Sequence, residues 1–400
     1  MKSKKINRRK FVRNISFSFL ATQMPVNFLA FAGNTKRPVI VRVHDSNASK
    51  SWNYETSAPW NHTVEPKTIE DMQSDKFRKD RYFDYINQDV VSRMFKRGLK
   101  ELIGTKTNKD AWLKLLNNYK NGDKITIKIN LNNASYSEWI TTNRMDQTAP
   151  IINAIIADLT ENLSIPEENI TVADPSRWIH PDIIINRCHF KKIKWTDGRA
   201  GRDLWDPKES VKFTRDQPVR PEKRPDLPEK GVFHIARVYT EAHHIINVCL
   251  MKNHGCGVTG AMKNHFGSIP PPFPKFLHTG LGEKSYIADL CSTKSIKNKV
   301  RLNVCEAIFA NWHNNVWSPR PWKTFSEESP NSLFLGTDPV AFDSILLQHI
   351  SDEVVAQGNN APQWVRKAVE THQFLHYAME HHHLGIHEHK PFSIIDYRQI

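Results

Sequence analysis

Apolar residues recur along the chain with two different spacings. Short continuous apolar runs such as Val39–Val43 and Ile170–Ala173 are typical of buried strands. Val90–Ile103 instead places apolar residues every three or four positions, which predicts an amphipathic helix. Because strand and helix patterns alternate through most of the chain, we predict an α/β fold. Its sheet should be mostly parallel or mixed with helices on both faces, in one lobe or in two lobes around a cleft.

The same patterns place the other elements. Further strands are predicted at residues 124–131, 245–250, 300–309, 333–337 and 393–395, and further helices at residues 111–116, 148–163, 340–350 and 362–382. Residues 191–231 fit neither pattern, since they are rich in Lys, Arg, Asp and Pro. We interpret them either as a polar excursion from the domain or as a lid over a site.

The first 32 residues carry the features of an export signal. Arg8-Arg9-Lys10 is followed by the moderately apolar stretch Ile15–Phe31, and Ala30-Phe31-Ala32 forms a small-residue cleavage site. A spanning helix needs about 20 predominantly apolar residues, and this stretch is too polar for one. We therefore predict a twin-arginine signal peptide at residues 1–32 and a single α/β unit at residues 33–400. The unit would leave the cytoplasm through the twin-arginine machinery, become periplasmic or otherwise exported, and keep no stable membrane span.

Composition argues against two classes of protein. The net charge of +14 suggests nucleic-acid binding, but residues 1–32 hold seven of the basic residues and no acid, which leaves +7 on the rest. That rest shows no long basic run and no nucleic-acid motif, so no nucleic-acid partner is expected. The five cysteines include no C-x-x-C pair, so neither an iron–sulfur cluster nor a zinc ribbon is expected.

Residues 251–270 hold the densest group of candidate functional residues. They follow a predicted buried strand and open a predicted helix, which is where open α/β sheets usually bind ligands. Glycines let the backbone approach a ligand closely, and the N–H groups of a helix N-terminus favour an anion. A purely structural turn is the alternative, but it would not need so many Lys, Asn and His residues. The candidate ligand-binding residues here are Gly255, Gly257, Thr259 (also a candidate helix cap), Gly260 and Asn264, and the candidate catalytic residues are Lys252, His254 and Lys263.

Polar residues at the ends of other predicted strands are further ligand-binding candidates. Lys128 and Asn130 alternate with the isoleucines of their strand, so they face either the cleft or an exposed edge. Asp174 precedes a proline, and it either contacts a ligand or makes a turn. Asp338 also precedes a proline at a strand-to-helix junction, where capping is the expected role and a ligand contact stays open.

The C-terminal segment is rich in histidine, at positions 376, 381–383, 387 and 389. Imidazole is a common ligand of zinc, copper and nickel, so metal binding is one interpretation. Consecutive histidines cannot all face one ion, and the dipole at a helix C-terminus favours histidine without any metal, which is the other interpretation.

Several of these motifs occur together in a known family. They are Lys128-Ile-Asn130, Asp174-Pro-Ser176, Lys252-Asn-His254 with Lys263-Asn264 and Gly267, and Gly336-Thr-Asp338-Pro-Val-Ala-Phe-Asp343. In this order they resemble the family called domain of unknown function 362, over roughly residues 39–398. Some members of that family carry ferredoxin-type cysteines, which this chain lacks, so the resemblance implies no iron–sulfur role here.

The run His254–Lys263 also resembles, more distantly, a segment of the nickel-dependent lactate racemases. That resemblance implies an acid/base role for His254, a nickel-pincer nucleotide tethered to Lys263, and a metal ligand at His278 or His265. This chain has Val-Thr-Gly-Ala where that family has Phe-Ser-Gly-Gly. A shared scaffold is therefore favoured over a shared cofactor, because fold does not determine function.

Together these observations predict an exported enzyme that binds an anionic small molecule at the Gly/His/Lys loop. The resemblance implies racemase-like (isomerase) or oxidoreductase-like transfer of a proton or hydride. A divalent metal or a nickel-pincer-type cofactor is one option, and catalysis without a cofactor is the other. The alternative function is a non-catalytic periplasmic protein that binds an anion or a metal.

Overall fold

A computed structural model describes most of the chain beyond the predicted signal peptide. The described residues are 37–54, 81–131, 145–211, 233–254, 257–270, 285–313, 318–370 and 372–400. Those from Pro38 onward belong to one compact unit. None of the described helices is long and apolar enough to cross a membrane. The predicted signal peptide at residues 1–32 lies outside the described residues.

The centre of the fold is a mixed sheet. Its strands are β1 (Val39–His44), β2 (Ile125–Lys128), β3 (Ile170–Asp174), β4 (Lys194–Asp197), β7 (His244–His254), β8 (Gly257–Thr259), β9 (Val300–Asn311), β10 (Ser332–Gly336) and β11 (Asp396–Gln399). The order across the sheet is β11-β1-β10-β9-β7-β2-β3-β4, and β8 pairs with β7 as the return arm of a hairpin. From β9 to β4 neighbouring strands are parallel, whereas β10 runs antiparallel to both β9 and β1. A separate pair is formed by β5 (Trp205–Val211) and β6 (Phe233–Ala236).

Helices cover both faces of the sheet, which confirms the predicted α/β fold. One face packs against α1 (Gln88–Ile103), α2 (Asn108–Leu115) and α3 (Ala149–Leu163). The other packs against α4 (Arg237–Thr240), α5 (Ala261–Asn264), α6 (Tyr286–Cys291), α7 (Lys294–Lys299), α8 (Pro339–Gln357), α9 (Gln363–Val369) and α10 (Gln373–Glu380). The alternation of side chains along β2 separates the two cores. Ile125 and Ile127 join the α1–α3 side, and Lys128 points to the α5 side.

Helix α8 begins where the Asp338-Pro339 dipeptide predicts it. The Oδ1 atom of Asp338 accepts hydrogen bonds from the N–H groups of Val340 (2.9 Å) and Ala341 (2.8 Å), and Pro339 occupies the first turn. Oδ2 accepts a third from Ile386 at 3.0 Å. Both carboxylate oxygens are therefore engaged by backbone, and Asp338 is a helix cap that also holds the C-terminal segment.

The structure corrects three of the predicted elements. The helix predicted at 362–382 is two helices, α9 and α10, which end and begin on either side of His372. The last strand is at Asp396–Gln399, a few residues beyond the predicted 393–395, because it pairs with β1. The polar stretch 191–231 contains the edge strand β4 and the strand β5, so its first half is part of the fold. Residues 212–232 lie outside the described residues.

Candidate functional site

A row of polar side chains crosses the sheet on the α5 face. Lys128 on β2 lies beside Asn247 on β7, which lies beside Asn303 on β9, and all three are fully buried. Asn247 Nδ2 donates hydrogen bonds to Asn303 Oδ1 (2.9 Å) and to the carbonyl of Ala261 (2.8 Å). Because β2, β7 and β9 are parallel, their carboxyl ends lie toward one edge of the sheet, the usual place for a ligand in such sheets.

Lys128 forms a buried ion pair at this edge. Its Nζ lies 3.2 Å from Asp174 Oδ2 and also donates to the carbonyl of Ile129 and to Asn264 Oδ1 at 3.3 Å. Burial lowers the pKa of Lys128, and the carboxylate of Asp174 acts in the opposite direction. The exposed-edge interpretation of Lys128 is therefore wrong.

Asp174 makes the turn that was one of its two expected roles, and it also pairs with Lys128. Its Oδ1 accepts hydrogen bonds from the N–H (3.1 Å) and hydroxyl (2.8 Å) of Ser176, which is turn chemistry. Its Oδ2 accepts from Lys128 and from the N–H of Leu131 at 3.2 Å. With both oxygens occupied, Asp174 holds the Lys128 ammonium in place.

Asn264 joins this ion pair to the rest of the row. Its Oδ1 accepts from Asn130 Nδ2 at 2.8 Å and from Lys128, and its Nδ2 donates to Asn247 Oδ1 (2.7 Å) and to the carbonyl of Val248 (2.9 Å). Gly267 packs closely against this network. A Cβ there would lie 2.5 Å from Lys128 Nζ and 2.8 Å from Asp174 Oδ1, so only glycine fits.

The N-terminus of α5 is occupied by a carboxylate of the protein itself. Asp343, on α8, accepts hydrogen bonds from the N–H groups of Ala261 (2.6 Å) and Met262 (3.0 Å). A Cβ at Gly260 would lie 2.0 Å from the same carboxylate. The predicted cap at Thr259 is wrong: the capping position is Gly260, and its partner is 83 residues away in sequence.

Lys252 is the buried lysine with the most strongly perturbed titration. It lies on β7, fully buried, and its Nζ donates to the carbonyl of Met145 at 3.1 Å. Burial lowers its pKa to about 7, Asp146 opposes this, and the positive charge of Lys263 reinforces it. Lys263 lies on α5 with its Nζ 5.3 Å from the centre of the Phe266 ring, in a cation–π contact.

Sequence reasoning missed a second acid at this edge, Glu306 on β9. It is 3% exposed and accepts hydrogen bonds from Gln147 Nε2, from the Thr148 hydroxyl at 2.5 Å and from the Thr148 N–H at 3.4 Å. Burial raises its pKa to about 7. The signal was present, because Glu306 is the one charged residue inside the apolar run 302–309.

Three buried polar atoms near these lysines and acids have no partner in the described part of the chain. Asn130 Oδ1, Gln147 Oε1 and Thr259 Oγ1 are buried and have no hydrogen-bond partner among the described residues. The backbones of Asn130 and Gln147 are hydrogen-bonded to each other at 2.9 Å, and Thr259 lies opposite Lys252 in the β7–β8 hairpin. Native proteins leave few buried polar atoms unpaired, so this region has the chemistry of a place that water or a ligand fills.

The histidine candidates are placed differently from the lysines. His254 is the last residue of β7, half-buried, two residues after Lys252, and its N–H donates to Asn253 Oδ1 at 2.7 Å. His265 is 2% exposed with Nδ1 3.1 Å from Ser268 Oγ, and burial lowers its pKa to about 3. It belongs to no group of three or more potential metal ligands among the described residues. His278 lies outside them.

The predicted glycines of the loop are only partly described. Gly257 begins β8 with a φ of +90°, a conformation that favours glycine, and it pairs with His254 in the hairpin. Gly255 lies outside the described residues. A nickel-pincer group on Lys263 stays a prediction.

Comparison with known families settles the membership of the chain. The family described as Domain of unknown function (DUF362) matches residues 125–348. The chain belongs to this family. The matched segment contains the lysines, asparagines and acids of the DUF362 site described above, from Lys128 to Asp343. A comparison with curated proteins finds no match.

Proposed function

We propose that this DUF362 protein is an exported enzyme that binds an anionic small molecule at the carboxyl edge of its sheet and exchanges a proton with it through Lys252. The observation that carries the proposal is a fully buried lysine whose pKa is about 7. Such a group is divided between ammonium and amine at neutral pH, which suits a general acid or base.

The distribution of charge supports an anionic ligand. The charge of Lys128 is matched by Asp174 at 3.2 Å and held by Asn264, so this pair is suited to a supporting role. The positive charge of Lys263 instead lowers the affinity of Lys252 for a proton, and an anion placed between them would relieve that repulsion. The unpaired atoms of Asn130, Gln147 and Thr259 could bind the polar groups of the same ligand.

The acids of the site could accept a proton that Lys252 takes up from the ligand. Asp146 interacts with Lys252 electrostatically, and Asp146 and Glu306 both raise the pKa of the buried Tyr82 phenol. A carboxyl group with a pKa of about 7, such as Glu306, can hold a proton at neutral pH. Proton transfer at the carbon next to a carboxylate, as in an isomerase, is the reaction class that this arrangement fits best. Hydride transfer of the oxidoreductase kind has no such support from the side chains.

The test is deuterium exchange at the α and β carbons of small 2-hydroxy and 2-oxo acids in D2O, followed by proton NMR, with lactate and pyruvate as the first probes. We expect catalysed exchange with the wild-type protein and at least a hundredfold less with Lys252→Met. Lys114→Met, at an exposed lysine of α2, is the matched control and should exchange at the wild-type rate.

The two functions give different results in that experiment. A non-catalytic anion-binding protein would show line broadening or shifts of the probe signals in both the wild type and Lys114→Met, with no exchange. Exchange by Lys252→Met at the wild-type rate would refute the role of Lys252.

Export is the second part of the proposal and rests on the pattern at residues 1–32. The mature chain should begin near Gly33, as measured by N-terminal sequencing of protein from the periplasm of its host. Replacing Arg8 and Arg9 together with lysine should keep the precursor in the cytoplasm, whereas Arg13→Lys should not. Normal processing of the double variant would refute the twin-arginine route.

A further inference from the structure

Four histidines near the C-terminus bring their rings together away from the lysine site. They are His372, His376, His387 and His389, and among the described residues they offer one nitrogen each within 4.8 Å of one another. The ring centres of His376 and His387 are 4.4 Å apart, those of His387 and His389 are 4.6 Å apart, and those of His372 and His389 are 4.7 Å apart. We propose that these four imidazoles bind one divalent transition-metal ion of the zinc, nickel and copper class, with zinc as the expected occupant.

Two local patterns in the chain create the cluster. His372 immediately precedes α10 and His376 lies in its first turn, and residues four apart share one face of a helix. His387 and His389 are two residues apart in a segment that forms neither helix nor strand, and their ring centres lie 4.6 Å apart. Each segment therefore supplies a pair of ligands, and the turn at 381–385 folds one pair onto the other.

Hydrogen bonding to Ser344 prepares His387 to bind a metal. The Ser344 hydroxyl donates its single hydrogen to the carbonyl of Val340 at 2.8 Å, one turn earlier in α8. With that hydrogen donated to Val340, the Ser344 oxygen accepts from His387 Nδ1, 2.7 Å away, which places the proton of the neutral ring on Nδ1. Metal-bound histidines almost always donate their second N–H to such a partner, which fixes the tautomer and the ring orientation.

The other ring nitrogen of His387, Nε2, is a buried atom that a metal ion could bind. His387 is 7% exposed, and its Nε2 is buried without a hydrogen-bond partner among the described residues. Because Nδ1 is engaged by Ser344, Nε2 is the nitrogen of His387 left to bind a metal. A buried acceptor without a partner costs free energy, and a metal ion would satisfy it together with the three neighbouring nitrogens.

The backbone that carries His387 is fixed before any ion binds. Leu384 N–H donates to the carbonyl of Ala378 at 3.1 Å, Ile386 N–H to Asp338 Oδ2 at 3.0 Å, and His387 N–H to Met379 Sδ at 3.3 Å.

The other histidines of the tail do not join the cluster. His382 Nε2 lies 2.8 Å from the carboxylate of Asp289, and the ring of His381 packs on Tyr377 at 4.4 Å. The structure thus separates the tail into four histidines that converge and others with different partners. His381, which is exposed, provides a matched control in the same segment.

The chemistry of the cluster indicates a structural rather than a catalytic ion. Four nitrogen ligands fill the tetrahedral sphere of zinc and leave no position for a substrate. The ion would join the start of α10 to the segment that leads to β11, the strand that pairs with β1 at the sheet edge. Zinc should therefore stabilise the C-terminal third of the fold without being needed for chemistry at Lys252.

The experiment is equilibrium dialysis and calorimetry of the metal-stripped full chain with Zn2+, together with the visible spectrum of the Co2+ form. We expect one equivalent of Zn2+, a tetrahedral Co2+ spectrum, and a melting temperature that rises with Zn2+ concentration. His387→Ala should weaken Zn2+ binding about a hundredfold or more, and Ser344→Ala about tenfold or more. His381→Ala should bind within twofold of the wild type.

Removing the buried His387 could also unfold the tail, so a surface variant carries the same test. His389 is exposed, and His389→Ala should keep the melting temperature of the metal-stripped protein while weakening Zn2+ binding about tenfold or more. The proposal is overturned if the wild type binds no stoichiometric Zn2+, or if His381→Ala loses as much affinity as His389→Ala.

Discussion

Replacing Lys252 by methionine should make the protein more stable and inactive. Lys252 is fully buried with a pKa of about 7, compared with 10.5 for an ordinary lysine. At about 1.4 kcal/mol per pH unit, this difference corresponds to about 5 kcal/mol of unfavourable free energy for the buried ammonium. Methionine has a similar volume and carries no charge. Its gain is reduced by about 1–3 kcal/mol, because the carbonyl of Met145 loses its donor.

The pH dependence separates this effect from ordinary packing. Below pH 7, Lys252 is protonated in both the folded and the unfolded chain, so the folded state bears the whole cost of the charge. Between pH 7 and 10.5 the folded amine is neutral while the unfolded one is still protonated, so the stability of the wild type rises with pH. The advantage of Lys252→Met should therefore fall by about 3 kcal/mol between pH 6 and pH 9.

The assay is guanidinium unfolding of both proteins at pH 6 and pH 9, with Lys114→Met as the control for replacing any lysine by methionine. The control should change the free energy of unfolding by less than about 0.5 kcal/mol, with no pH dependence. A difference between Lys252→Met and wild type that is the same at both pH values would refute the lowered pKa. A variant that is less stable than wild type at pH 6 would mean that Lys252 is a structural ion-pair partner instead.

Three further substitutions test other parts of the fold. Gly267→Ala should lower the free energy of unfolding by about 1–3 kcal/mol, because its Cβ would meet the Lys128–Asp174 pair, and an unchanged melting temperature would contradict that contact. The free energy of unfolding of the wild type should fall by about 3 kcal/mol as the pH rises from 4.5 to 7, because the buried Glu306 keeps its proton to about pH 7 only in the folded state. Glu306→Gln should remove this fall. Urea unfolding at pH 5 and 8 measures this, and the same change in the free energy of unfolding with pH in both proteins would argue against the raised pKa. Asp338→Ala should cost about 1–2 kcal/mol through the lost cap of α8, and thermal unfolding that matches the wild type would show that the cap is dispensable.

The fold could be predicted to the extent that it depends on local patterns. The periodicity of apolar residues located α1, α3, β3 and β9 within a few residues, because burial of one face is visible in the sequence. The antiparallel direction of β10 and the break between α9 and α10 could not be predicted. Strand direction depends on long-range pairing, and the break depends on packing against the rest of the chain.

Several side chains of the candidate site could be predicted one at a time from the sequence, but their arrangement could not. Lys128, Asp174 and Lys252 stood out as polar residues at strand ends. The contacts between them are long-range: Lys128 and Asn264, in hydrogen-bond contact, are 136 residues apart. Likewise the carboxylate at the N-terminus of α5 comes from Asp343, so the anion expected there is a side chain of the chain itself. In the histidine cluster, His372 and His376 have the four-residue spacing that places side chains on one helix face. The consecutive histidines 381–383 do not have that spacing.

The N-terminal part of α8 connects the two sites that we propose. Within seven residues it supplies Asp338, which caps the helix and holds Ile386; Asp343, which holds α5; and Ser344, which orients His387. The DUF362 match at residues 125–348 includes this part of α8 and the lysine site, whereas His372 to His389 lie beyond it. Lys252 therefore lies within the segment that matches the family, and the histidine cluster lies outside it. If zinc binding to the cluster changed exchange at Lys252, α8 would be the element that carries the coupling, and Ser344→Ala would be expected to weaken it.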